Sequence, residues 1–148
     1  LKASNDLVET CIEEAQRDQA MRISNAVGSM AERVIDLTSD IADRMAYDPD
    51  PSDKRKGNNL PKAPTWKKLS DLTDTLDSVN QMFDDDALTE TVEKMREFQG
   101  RVGNMGSAKD IREALQKDSS ERDRLKNELA DIQDAASPAL NRFDEFME

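Results

Sequence analysis

The side chains able to do chemistry in this sequence are 32 carboxylates and a single thiol, with no histidine among them. Without imidazole the chain lacks the commonest general base and the Ser-His and Cys-His nucleophile pairs. It also lacks the Glu-x-x-His ligands that hold di-iron in carboxylate bundles. Carboxylates alone still run acid and base steps, as in glycosidases, but only as two groups facing each other across a cleft. Cys11, followed by Ile12 and Glu13, has no cation beside it in sequence to favour its thiolate and reads as a small residue on a helix face.

Three further clusters have residue types that bind ligands elsewhere. In "DPDPSD", Asp48, Asp50 and Ser52 alternate as at the start of a calcium loop. The sixth position is Asp53, where a Gly must turn, and the twelfth is Asn59, where a bidentate Glu is needed, so the match fails. Asp84, Asp85 and Asp86 could gather a divalent ion loosely but are better suited to a helix cap or a solvated turn. Gly100, Gly103 and Gly106 lack the Lys-Ser/Thr of a phosphate loop and follow a helical pattern where nucleotide loops follow a strand; they read as a flexible corner. No catalytic residue, cofactor or metal site is assigned, and the chain is expected not to be an enzyme.

Binding is better supplied. Between positions 54 and 68 stand Lys54, Arg55, Lys56, Lys62, Lys67 and Lys68 with no acidic residue, leaving 15 basic against 32 acidic side chains elsewhere. Trp66, the sole tryptophan, lies among these bases, placed to stack on a ring or to sit at a lipid headgroup interface. Two readings stay open. One is an exposed basic loop that meets an anionic partner, a membrane surface or a nucleic-acid backbone. The other is a solubilising loop paired with its own acidic bundle, Trp66 stapling it to the next turn. The net charge of −11 opposes any general affinity for nucleic acid.

The elements that carry these residues are helices. Apolar residues make up 36% and charged residues 36% of the 148, a balance suited to long amphipathic helices with narrow buried stripes. Aromatics are 4% and no β-branched residues alternate, so no sheet is expected. "AMRISNAVGSMAERVIDLTSDIADRM" repeats one short phrase every eleven residues, beginning at Ala20, Ala31 and Ala42. Eleven residues close about three helical turns. Ile12, Ile23, Val34 and Met45 therefore return to one line, beside Val8, Gln19, Met30 and Ile41, with Ala15, Ala26 and Leu37 completing the stripe. A first helix over 6–46 is predicted, packed along its whole length, with Gly28 marking a close helix approach or a slight bend.

Prolines 49, 51, 61 and 64 make 47–65 a connector. Leu69, Leu72, Leu76, Val79 and Phe83, then Leu88, Val92, Met95, Phe98 and Val102, predict a second helix over 66–99, with a break at Asp84–Asp86 as the open alternative. After the glycine corner at 100–107, Ser107 with Asp110 resembles a capping box. Ile111, Leu115, Asp118, Arg122, Leu125, Leu129, Ile132 and Ala136 then predict a third helix over 108–136. Ser137-Pro138 announces a kink or restart, followed by an apolar end over 138–147 that includes Phe143 and Phe146 and is expected to pack on something. Asp118 and Arg122 occupy seam positions where Leu is expected, as a register-setting pair or as an exposed gap able to accept another helix.

The expected fold is therefore all-α: one domain, an elongated antiparallel bundle of three long helices, or four if the second is broken at Asp84–Asp86. Such outlines occur in spectrin-like repeats, vinculin-like scaffold domains and the sensor domains of bacterial chemoreceptors, an analogy of architecture alone. The expected function is a scaffold or protein-interaction domain. The alternatives are a ligand-sensing bundle and an assembly or secretion factor. A protein partner would dock on the basic connector or the apolar C-terminal end; a homo-oligomer and an anionic membrane surface are the other partners considered. Leu1 in place of an initiator Met suggests a fragment of a larger chain. With one cysteine and no apolar run of membrane-spanning length or leader, a cytoplasmic setting is the expectation.

Overall fold

The computed structural model describes residues 2–45 and 60–141, with side chains from residue 5 onward. They form five helices and, among the described residues, no strand: α1 (Lys2–Arg44), α2 (Ala63–Phe83), α3 (Asp86–Gly103), α4 (Ala108–Lys117) and α5 (Ser119–Leu140). No helix among them is long and apolar enough to cross a membrane.

Five helices stand where three, or four with a break at Asp84–Asp86, were expected: that break is present, and Asp118 makes a second one in the last predicted rod. Asp84 ends α2 with φ 50°, a left-handed conformation that stops the helix, and Asp85 opens α3 by accepting from the N–H groups of Ala87 and Leu88 at 2.9 and 3.1 Å. Asn80 locks the corner: its Oδ1 accepts from Asp85 N–H at 2.8 Å and its Nδ2 donates to Thr89 Oγ1 at 2.7 Å. Asp118 does the same at the other predicted rod, leaving α4 in extended conformation and accepting from Ser120 and Glu121 N–H at 3.0 and 3.2 Å. A short carboxylate competes well for free amides at a helix start, and a local cap here outweighs the seam spacing that favoured one continuous rod.

The four longer helices pack in a ring, α1 on α2, α2 on α3, α3 on α5 and α5 on α1. Cross-links set each direction. Gln133 faces Thr38 and Ser39, while α1 at Gly28 faces Ala139 and Leu140, so α5 runs antiparallel to α1. Gln99 pairs with Thr73 and Arg96 with Asp77, so α3 runs antiparallel to α2. α4 is a short hinge-like segment between α3 and α5 that lies against both α2 and α5.

The seams read from the sequence supply the core of this ring. Leu69, Leu72, Leu76, Leu88, Val92, Met95, Phe98, Val102, Ile111, Leu115, Leu125, Leu129, Ile132 and Ala136 are all buried. Each Leu or Ile contributes on the order of 1.5–3 kcal/mol through removal from water. The first helix departs from its expectation. Met30, Val34, Ile41 and Met45 are buried and Ile23 and Leu37 partly so, yet every residue from 5 to 19 is exposed, Val8 and Ile12 included. The eleven-residue stripe runs on past the end of the bundle, where no described helix covers it. At about 1.5 Å per residue these residues make a projecting arm of roughly 22 Å.

Pro138 lies inside α5, which continues through it to Leu140 without the expected restart, and Ser137 Oγ donates back to Gln133 C=O at 2.8 Å. Gly28 sits opposite this turn. A Cβ added at Gly28 would meet the carbonyl oxygens of Ala139 and Leu140 at 3.6 Å, ordinary contact. Gly28→Ala is therefore expected to raise stability, by up to about 1 kcal/mol, through helix propensity. Gly28→Leu drives methyl groups into the α5 backbone and should lower stability by roughly 1–3 kcal/mol. Urea unfolding of the two variants checks both signs.

Candidate interaction surfaces

Two regions, at opposite ends of the bundle, offer binding surface. The first is the arm. At 100° per residue, Leu7, Cys11, Ala15, Val8 and Ile12 fall within an arc of about 140°, with Glu14 bordering it on one side and Glu9 about 60° beyond it on the other, past Asn5 and Gln16. Leu7 is 66% exposed, Val8 56% and Ile12 52%, a degree of exposure shared by few large apolar side chains of the described chain. From 5 to 19 the arm carries Asp6, Glu9, Glu13, Glu14 and Asp18 against Arg17 alone. From Leu7 to Ala15 the arc is a contiguous apolar stripe in an acidic surround, closed toward the bundle by Asp18 and Gln19, which fall on the same arc.

The second region is the corner where α2, α3 and α4 meet. α2 starts at Ala63 with Pro64 in its first turn, and α4 starts behind Ser107 with a complete capping box. Ser107 Oγ accepts from Asp110 N–H at 3.2 Å, and the Asp110 carboxylate accepts from Ser107 N–H at 3.0 Å. Gly106, at φ 114°, makes the turn into this cap, a conformation that side-chain-bearing residues rarely adopt. Trp66 packs at a tilt on Phe98, ring centroids 6.2 Å apart. An open groove of about 280 Å³ lies beside Trp66, bounded by α2, α3 and α4.

The residues proposed from the sequence as an anion site are divided by this arrangement. Lys54, Arg55 and Lys56 lie outside the described residues, as do Phe143 and Phe146 of the apolar end. Lys62 is the N-cap of α2 and lies with Lys109 and Arg112 around a second cavity of about 160 Å³. Lys67 is exposed, and Lys68 points to a different groove, between α1 and α2, which it lines with Arg33, Asp36 and Asp71. A helix spreads consecutive residues around its axis, so bases adjacent in sequence diverge once α2 forms. Lys109 and Arg112 could not be associated with Lys62 from the sequence, because the α3–α4 corner alone brings them to it.

Asp118 and Arg122 both stand at the junction of α4 and α5. Asp118 is an exposed cap, and the Arg122 guanidinium donates to the carbonyls of Leu115 and Gln116 at 2.5 and 3.4 Å, closing the end of α4. Register is set by pairs missed in the sequence. Buried Thr38 and Thr73 each donate to the carbonyl four residues back, at 2.7 Å, and each accepts from a glutamine on the neighbouring helix. Threonines at seam positions beside leucines were the available signal.

Comparison of the chain with family models, with curated proteins and with solved structures finds no match.

The corner also yields a pH dependence. The hydrogen bonds from Ser107, backbone first and hydroxyl second, hold the Asp110 carboxyl below the usual aspartate value, with the charge of Lys109 adding to them. A value lowered on folding means that the cap's contribution is complete above the unfolded aspartate value and is lost as pH falls through the folded one. The stability difference between the natural chain and Asp110→Asn should therefore be constant near neutrality and shrink in the acid range, as thermal unfolding across pH would record.

Proposed function

We propose that this chain is a non-catalytic helical interaction domain, in which the four-helix ring anchors α1 so that its N-terminal arm can take up a basic amphipathic helix of a protein partner. The observation that carries this reading is the exposed stripe of Leu7, Val8 and Ile12, held on a helix whose other half is buried. A helix of about 15 residues is marginal in water alone, and covalent continuity with the buried half keeps the arm preformed. A partner helix laid along the stripe would remove these side chains from water by the i, i+4 pattern common to helix-in-groove recognition.

Charge selects the partner. A second copy of the arm would bring five acids against five, whereas Lys or Arg residues flanking a partner's apolar stripe would face Glu9 and Glu14 across the seam. The sequence's lack of histidine and its unactivated thiol support the non-catalytic part of the proposal.

The test is titration of the full chain with a Leu/Lys amphipathic helical peptide and, in parallel, a Leu/Glu peptide of the same pattern. Leu7→Asp with Ile12→Asp is expected to weaken the Leu/Lys complex at least tenfold with the unfolding midpoint unchanged, since both positions are exposed. Glu9→Lys with Glu14→Lys should weaken it and strengthen Leu/Glu binding. Equal binding of both peptides, or indifference to the Leu7 and Ile12 changes, would overturn the reading.

A further inference from the structure

At the end of the bundle opposite the arm, the groove beside Trp66 and the cavity beside Arg112 adjoin, sharing Ala63 and Ala108 in their walls. Those two alanines are the first residues of α2 and α4. Two helix amino ends therefore converge on the seam between the cavities, and each brings partial positive charge to it.

The two cavities differ in chemistry. The groove of about 280 Å³ is walled chiefly by Trp66, Leu69, Val102 and Ile111. Its neighbour of about 160 Å³ is bordered by Lys62, Lys109 and Arg112, three cations gathered in a chain whose net charge is −11. Of the two acids adjacent to these cations in sequence, Asp110 is turned back onto the Ser107 N–H in the capping box, and Glu113 is exposed and does not line the cavity. Each cavity also has an orphan on its wall. Among the described residues, Trp66 Nε1 and Arg112 Nε are shut from solvent with no acceptor. A buried N–H without a partner is costly, and natural folds seldom leave one unmet.

We infer that this corner is a binding site for a small amphipathic carboxylate, its apolar body in the groove beside Trp66 and its carboxylate among Lys62, Lys109 and Arg112. An apolar wall with a few convergent polar groups is the usual make-up of a small-molecule pocket, and the groove lies near the lower end of the usual range of roughly 300–1,000 Å³. Arg112 supplies the planar donor fork that matches a carboxylate; the lysines supply point charge at the mouth. A modest turn of the guanidinium on ligand entry would present its orphaned Nε–H to the carboxylate. The site is independent of the arm and would operate whether or not the arm binds a helix.

Trp66 is the only tryptophan, so its fluorescence reports on this groove alone. Titration of the full chain with octanoate should shift Trp66 emission saturably. Octanol, with the tail and no charge, and inorganic phosphate, with charge and no tail, should each bind at least tenfold more weakly. Lys109→Gln with Arg112→Gln should weaken octanoate binding tenfold or more. Gly103→Leu offers a second route, because a Cβ there meets nothing within 4 Å and the side chain would fill the groove without displacing its walls; it should abolish the octanoate response with helix content and unfolding midpoint retained. An absent or unsaturable response, octanol binding as tightly as octanoate, or full binding by the Gly103→Leu chain would overturn the proposal.

Discussion

The antiparallel seam between α1 and α5 is the constraint on which the rest of the molecule depends. It unites the two ends of the chain's described structure, and the faces that meet there are small or branched: Ala31, Val34 and Ile41 from one helix, Ile132, Ala136 and Ala139 from the other, all buried. Small side chains let the two backbones approach closely, most of all at Gly28, which faces the carbonyls of Ala139 and Leu140. Without this seam α1 would be a lone acidic helix, and its arm would have no rigid base.

Apolar burial holds the seam and hydrogen bonds choose its register. Thr38 satisfies its hydroxyl on Val34 C=O and presents the oxygen to Gln133, which also reaches Ser39 at 2.9 Å; Thr73 and Gln99 repeat the device between α2 and α3. A slip of one turn in either pair would take the part-buried amides of Gln133 and Gln99 away from these acceptors. The ion pairs contribute far less. Arg96 with Asp77 and Arg101 with Glu128 join neighbouring helices, but at exposed arginines, where screening by water and salt leaves little net stabilisation.

The same packing explains why binding surface lies at the two ends. Along its middle the interior of the ring is filled by leucines, and the groove between α1 and α2 that Lys68 lines with Arg33 and Asp71 is an open, charged trough on the outer surface. At one end α1 outruns the other described helices, and at the other three helix termini meet without closing on each other, which leaves the groove beside Trp66 and the cationic cavity next to it. Termini also bring free amides and charged caps, so the end that is hardest to pack is also the most polar.

Composition and spacing alone determined that the chain is helical and which faces of its helices are apolar. The leucine seams of α2, α3, α4 and α5 lie where the three and four residue steps put them, because helical periodicity is a local property of the backbone. The Ser107–Asp110 cap was legible for the same reason. What only tertiary structure decided is which stretch of a stripe finds a neighbour: Val8 and Ile12 repeat the pattern of Met30 and Val34 yet stay exposed, since burial depends on how far α5 and the α2–α3 corner extend. Tertiary structure also gathered Lys62 with Lys109 and Arg112 and dispersed Lys67 and Lys68, residues far apart and close together in sequence respectively. Proximity between helices is set by the packing of whole faces, and no local spacing encodes it.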